Sequence, residues 1–229
     1  KHNPEFTMLE WYEAYADYED VARRCEALIA YVARAAGYDG ELDFAAPWRR
    51  EKLADAIGAR SKVDILANRT FESLAAATRE QGHEVPENEE TWGQLVDHLL
   101  SKFVEPELIQ PTIVYDWPIE LSPFARTTDD DETLVERFEC VVGGMEFANA
   151  FSELNDSEEQ AQRFTMQEAE REAGAEEFEP GDPDFVEALS YGMPPTGGCG
   201  VGIDRLAMVL TGSDAIRDVI LFPLLRPRD

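Results

Sequence analysis

Apolar and polar side chains alternate through FTMLEWY, residues 6 to 12, so an extended segment there puts Phe6, Met8, Glu10 and Tyr12 on one face and Thr7, Leu9 and Trp11 on the other. From Asp17 to Ala36 the period lengthens. Val21, Ala22, Cys25, Leu28, Ile29 and Val32 keep helical spacing, Asp17 or Asp20 is placed to cap the helix, and Gly37 to end it. Gly40, Leu42, Phe44 and Pro47-Trp48 predict a turn, a short strand near 42–45 and a loop. Residues from about 50 to 106 read as helical, with breaks at Gly58, Gly82 and Pro86-Glu87-Asn88, and form an expected insertion between parts of a sheet. Strand character returns at 111–116, at 137–154 with a break at Gly143-Gly144, and at 196–204, before an apolar helical run from Leu206 to Leu210. A charged helix over Ser157–Ala173, an acidic loop over Gly174–Pro183 and a helical turn over Phe185–Tyr191 lie between the last two strands, and the closing LFPLLRP is apolar enough to pack on the core. The expectation is an α+β fold, a mostly antiparallel sheet flanked by helices.

The polar residues inside these strands carry the chemistry. Period two puts Asn149, Phe151 and Glu153 on one face and Ala148, Ala150 and Ser152 on the other. An amide, a ring and a carboxylate in a row make a poor core face and a plausible ligand floor. Glu10 stands among aromatic residues in the same way, so Glu10 and Glu153 are expected on neighbouring strands, converging on one cavity. A ligand with an apolar stem and a positive head suits such a pair, and lysine fits that description. The alternative is an edge strand with a solvated acidic face. Glu139, Glu146 and Glu153 recur every seven residues across the two strands. In GGCGVGIDR, residues 197 to 205, alternate glycines let a ligand or another backbone approach closely, and Arg205 opens the following helix where its guanidinium can fork onto a phosphate. The segment lacks the lysine-serine pair of a phosphate-binding loop and the acidic partner of a dinucleotide turn.

Composition narrows the function class. The 229 residues are 44% hydrophobic, enough for a real core, and 48 acidic against 20 basic residues give a formal charge of -28. That balance argues against a general nucleic-acid footprint, which needs clustered Lys and Arg. Cys25, Cys140 and Cys199 form neither an even disulfide framework nor a CxxC metal spacing, so reduced thiols in a cytoplasmic protein are expected, with Cys25 and Cys199 in the core. His83 and His98 lack ligand-like company, and TTDDDET, residues 127 to 133, reads as a solvated turn. There is no apolar run of about 18 residues and no secretory leader, so neither membrane insertion nor export is expected.

Together HNPEFTMLEWYEAYADY (2 to 18), APWRR (46 to 50), the block from Phe138 to Asp156 and GMPPTGGCGVGIDRLAMVLTGSDAIRDVILFPLLRP (192 to 227) resemble the class II lysyl-tRNA synthetases nearly end to end, most weakly at about 51–106 and 160–185. The resemblance implies an incomplete class II catalytic domain over 1–229, with a sheet core from 1–49 and 107–229 and the helical insertion at about 50–106. It implies activation of lysine with ATP to lysyl-adenylate and transfer to tRNA(Lys), the parent enzyme being a homodimer. It places His2, Asn3 and Phe6 at the edge of the ATP site, Phe6 stacking on adenine, and Arg205 as the catalytic clamp on ATP. Glu139 and Glu146 would hold Mg²⁺ with the ATP phosphates. Glu10 and Glu153 would bind the lysine ammonium, Tyr12 and Phe151 flank its methylenes, and Asn149 and Gly200 complete the lysine site. A chain that opens at Lys1-His2-Asn3 inside a recognisable motif reads as a fragment lacking an upstream arginine strand and dimerisation motif, with little activity expected of its own. Two other classes stay open: a related ligase that attaches a lysine-like group to a protein, and a non-catalytic lysine- or nucleotide-binding derivative.

Overall fold

The computed structural model describes residues 2–172 and 180–223. Six strands, β1 (Met8–Ala14), β2 (Arg49–Lys52), β3 (Thr112–Pro118), β4 (Leu134–Val142), β5 (Met145–Ser152) and β6 (Thr196–Gly202), form one sheet in the order β1-β6-β5-β4-β3-β2. Every neighbouring pair is antiparallel except β2 and β3. Seven α-helices accompany the sheet among the described residues: α1 (Tyr18–Ala35), α2 (Leu53–Ser61), α3 (Phe71–Glu80), α4 (Trp92–Leu99), α5 (Ser157–Glu172), α6 (Pro183–Ser190) and α7 (Ile203–Thr211). The fold is therefore α+β with a mixed sheet.

Helix α1 starts where Asp17 caps it: the Asp20 amide donates to Asp17 Oδ1 at 2.9 Å, and Asp20 returns a carboxylate to the Asp17 amide. Its stripe of Val21, Ala22, Cys25, Ile29 and Ala33 packs on Phe138, Cys140, Ala148, Ala150, Cys199 and Val201, the alternate residues of the three central strands. The three cysteines are free and buried there, Cys25 Sγ lying 3.9 Å from Cys140 Sγ. The second core is built by α2, α3 and α4 against Val114, Trp117, Val135 and Val141, on the opposite sheet face. A π-helical turn over Leu100–Val104 leads out of it. These helices leave the front of β1, β6 and β5 uncovered.

Two details differ from the expected pattern. Residues 42–45 form a loop, because their amides find side chains instead of a strand: Asp43 donates to Gln110 Oε1 and Ala45 to Asp43 Oδ1, both at 2.9 Å. The strand comes later, at Arg49–Lys52, where it pairs parallel to β3. In the closing apolar segment Leu221 and Phe222 are about nine-tenths exposed and do not pack on the core, while 224–227 lie outside the described residues, as do Ala173 and 174–179 of the expected helix and acidic loop.

At the β4–β5 hairpin both turn glycines, Gly143 and Gly144, take positive φ, 59° and 69°, as a two-residue turn matched to strand twist requires. Just beyond it the register slips: Cys140 faces Ala148, whereas Val141 faces Glu146. Phe147 is the extra residue of this β-bulge, buried to 1% exposure and 6.2 Å from the Trp48 ring. Replacing it with alanine removes a ring from a closed core, and Phe147→Ala is expected to lose about 3–5 kcal/mol in urea denaturation. A loss below about 1 kcal/mol would contradict this packing.

Candidate functional site

The bulge decides where Glu146 points. Strict alternation back from Glu153, Phe151 and Asn149 would send it to the α1 face with Ala148 and Ala150. The extra residue reverses that parity, and Glu146 joins Asn149, Phe151 and Glu153 on the open face. No sequence signal for a bulge stands in MEFANAFS, and this is what simple period-two reasoning missed.

The open face holds a cavity of about 440 Å³. Its walls bring together His2, Asn3, Phe6, Glu10, Tyr12, Glu146, Asn149, Phe151, Glu153, Gly200 and Arg205, so eleven residues singled out from the sequence meet in one place. Glu139 does not line it. That carboxylate borders a second cavity of about 720 Å³, under α4 and the loop after β3, and Glu146, Asn149 and Phe151 form the partition common to both.

Glu10 and Glu153 do converge, but they are not on neighbouring strands. β6 runs between β1 and β5, and Glu153 follows the last residue of β5. The glycines make convergence across an intervening strand possible. A Cβ at Gly198 would collide with the Glu153 carboxylate and sit 2.9 Å from two carbons of the Tyr12 ring; one at Gly200 would lie 3.3 Å from Met8 Sδ and 4.0 Å from Glu10 Oε1. On the other face, Gly197 admits α1, where a Cβ would lie 2.5 Å from Val21 Cγ2 and 2.9 Å from Asp17 O.

Burial, with the Glu10 charge as a second cause, pushes the Glu153 carboxyl up to about 8. Burial and the same two carboxylates raise Tyr12. At the other end, Arg205 Nη1 donates to Glu146 Oε2 at 2.5 Å and to the Glu146 carbonyl at 2.8 Å. The N-terminal segment is tied to this end by the Thr7 amide, which donates to Asp204 Oδ2 at 2.6 Å, and by the Ile203 amide, which donates to Thr7 O at 2.9 Å. That places Phe6, more than half exposed, at the rim.

Burial raises Glu139 to about 8 as well; Arg137 opposes the rise and the Glu146 charge adds to it. Arg137 takes Glu139 Oε1 at 2.7 Å and Arg205 takes Glu146 Oε2, so Glu139 Oε2 and Glu146 Oε1 are the oxygens not claimed by an arginine. Among the described residues no group of three or more His, Cys, Asp or Glu is disposed to hold a metal by itself. Two carboxylate oxygens from adjacent strands are the hard donor type that Mg²⁺ takes.

The remaining polar candidates have structural partners. His83 Nε2 lies 2.8 Å from the Ser61 carbonyl and its ring packs on Phe103, while His98 Nδ1 lies 3.2 Å from Glu89 Oε1. Asp131 holds the 127–133 turn through Thr128 and Thr133. No helix among the described residues is long and apolar enough to cross a membrane.

Residues 1–226 match the family described as tRNA synthetases class II (D, K and N). Similar proteins include the lysine–tRNA ligases of a Roseiflexus species, 49% identical over all of this chain and 48% of the relative, and of Dehalococcoides mccartyi and Pelotomaculum thermopropionicum, each 48% identical over all of this chain and 47% of theirs. The chain spans about half the length of the curated relatives it matches. With a family match from residue 1 to residue 226 and an open-faced sheet that gathers the motif residues into one cavity, the chain belongs to the class II tRNA synthetases of the D, K and N group.

Proposed function

We propose that this chain is catalytic-domain sequence of a lysine–tRNA ligase, which joins lysine to ATP as lysyl-adenylate and then transfers the lysyl group to tRNA(Lys). The observation that carries the amino-acid specificity is the pair Glu10 and Glu153, leaning from β1 and from the end of β5 over the bare strand β6. A buried carboxyl held up near 8 by desolvation and a like charge is a poor structural element and a good receptor for an ammonium group. Tyr12 and Phe151 line the same cavity and offer their rings to an alkyl stem. Related enzymes named lysine–tRNA ligase support the same reading.

In the reaction a lysine carboxylate oxygen attacks the α-phosphorus of ATP and pyrophosphate leaves. No side chain has to become covalently attached. What the protein supplies is alignment and neutralisation of charge. Arg205, released from Glu146 when phosphate oxygens compete for it, clamps ATP; Phe6 covers the adenine; His2 and Asn3 border the nucleotide. Glu139 and Glu146 are the residues that would hold Mg²⁺, whose chemistry there is to offset the phosphate charge. The domain organisation that goes with this reading is a sheet core over 1–49 and 107–229 carrying the helices of about 50–106 as an insertion. tRNA binding, the homodimer and a cytoplasmic location belong to the same proposal.

Calorimetric titration of the 229-residue chain is expected to show binding of L-lysine and none of L-leucine. In Gly198→Ala the new methyl displaces the Glu153 carboxylate and crowds the Tyr12 ring, which is exposed enough to swing aside, so folding should survive with a thermal midpoint within a few degrees while lysine affinity falls at least about tenfold. Equal binding of leucine and lysine, or unchanged lysine affinity in Gly198→Ala, would refute the site.

The raised Glu153 pKa sets a pH dependence. An ammonium group prefers the ionised carboxylate, so lysine affinity should climb between pH 6 and 8, and binding at pH 7 should release up to about one proton, read from calorimetry in buffers of different ionisation enthalpy. For stability the sign is opposite. The folded pKa lies above the unfolded one, so the folded state loses stability as pH rises through the window from the ordinary carboxylate value to about 8. Glu153→Gln should therefore be more stable than the unsubstituted protein at pH 8, by on the order of 1–2 kcal/mol, while losing lysine affinity. Proton uptake on lysine binding, or a less stable Glu153→Gln at pH 8, would contradict the assignment.

A further inference from the structure

Arg137 is a side chain for which sequence reasoning found no role, and it is the most heavily bonded arginine near the site. Its side chain, 14% exposed on β4, lies with its guanidinium carbon 4.2 Å from the centre of the Trp117 ring. Nη1 donates to the Leu121 carbonyl at 2.6 Å and to Ser122 Oγ at 2.9 Å, Nη2 to Glu139 Oε1 at 2.7 Å, and Nε to Asn149 Oδ1 at 3.0 Å. The loop that receives Nη1 is itself fixed from behind: buried Arg163 donates to the Ser122 carbonyl at 3.2 Å, and the Gln160 amide to the Pro123 carbonyl at 3.1 Å. The fork is thus held at three corners before it reaches Asn149.

An arginine donates and never accepts, so the group Asn149 offers to Nε must be its carbonyl oxygen. Its amide NH₂ is the end that Arg137 does not engage, and Asn149 lines the cavity that holds Glu10 and Glu153. With the ammonium of lysine drawn to Glu10 and Glu153, the group that arrives near Asn149 is the carboxylate, an acceptor that needs donors. We propose that Arg137 is a positioning residue for amino-acid recognition: it fixes the orientation of the Asn149 amide so that the cavity presents a donor to the α-carboxylate and an acceptor pair to the side-chain ammonium. This rests on the lysine-site reading above. A lysine at position 137 keeps the charge and loses the fork, and cannot hold Glu139, Ser122 and Asn149 at once.

The test compares L-lysine with 1,5-diaminopentane, which has the stem and the ammonium but no carboxylate, by calorimetry on the 229-residue chain. The unsubstituted protein is expected to prefer lysine. In Arg137→Lys, lysine affinity should fall about tenfold to a hundredfold with diaminopentane affinity within twofold of its starting value, as for one charge-assisted hydrogen bond lost at the carboxylate. Asn149→Asp serves if Arg137→Lys does not fold, because it preserves an acceptor for Nε and replaces the donor with an anionic oxygen that repels a carboxylate; it should fold normally and lose the preference for lysine. Equal weakening of both ligands in Arg137→Lys, an unchanged lysine affinity there, or a retained preference in Asn149→Asp would overturn the proposal. If the unsubstituted protein binds neither ligand, the lysine site itself is refuted and the role of Arg137 falls with it; if it binds both equally, only the orientation argument falls.

Discussion

Because β6 presents glycine at 198 and 200 to the open face, carboxylates rooted on β1 and at the end of β5 reach over it into the same space, and nearly every property of the site follows from that bare strand. A strand with ordinary side chains would separate Glu10 from Glu153 and fill the cavity. The same strand serves two layers with opposite needs: Gly197 lets α1 approach on one face, Gly198 and Gly200 leave room for a ligand on the other, and Cys199 and Val201 contribute the apolar contacts between them. Glycine weakens a strand. Here β6 is held on both sides, by β1 and by β5, and its position in the sheet offsets that weakness.

Charge is organised as tightly as space. Burial raises Glu139, in the middle of β4, and Glu153, just past the end of β5, to about 8. They differ in company. Glu139 has Arg137 at 2.7 Å, whereas the causes acting on Glu153 are desolvation and another carboxylate, with no cation among them. In the first arrangement an arginine offsets part of the desolvation of a carboxyl; the second lacks that offset, and the proposed cationic ligand would supply it. In a protein with a formal charge of -28, arginines placed against single carboxylates matter more than the overall balance, which by itself repels phosphate.

Much of this was legible in the residues. Alternation in FTMLEWY and in the block around Asn149, Phe151 and Glu153 gave the faces correctly, and the α1 stripe with its Asp17 cap followed from helical spacing. Three things were hidden for physical reasons. The bulge at Phe147 inverts the face of Glu146, and a bulge has no composition of its own. Strand order is not a local property, so β6 between β1 and β5 was invisible to an argument that saw Glu10 and Glu153 only as a matched pair. The loop at 42–45 has apolar alternation like a strand, but its amides are satisfied by Gln110 and Asp43, partners that only the folded chain brings within reach. The role of Arg137 was hidden for the same reason, since its partners lie 2 to 16 residues away on three different elements.

In the proposed binding mode one lysine lies across the bare strand. A crystal structure of the 229-residue chain with L-lysine is expected to show the ε-ammonium between Glu10 and Glu153, the methylenes between Tyr12 and Phe151, and the α-carboxylate toward the Asn149 amide and Arg205. Lysine bound in the reverse sense, or only in the larger cavity beneath α4, would contradict it.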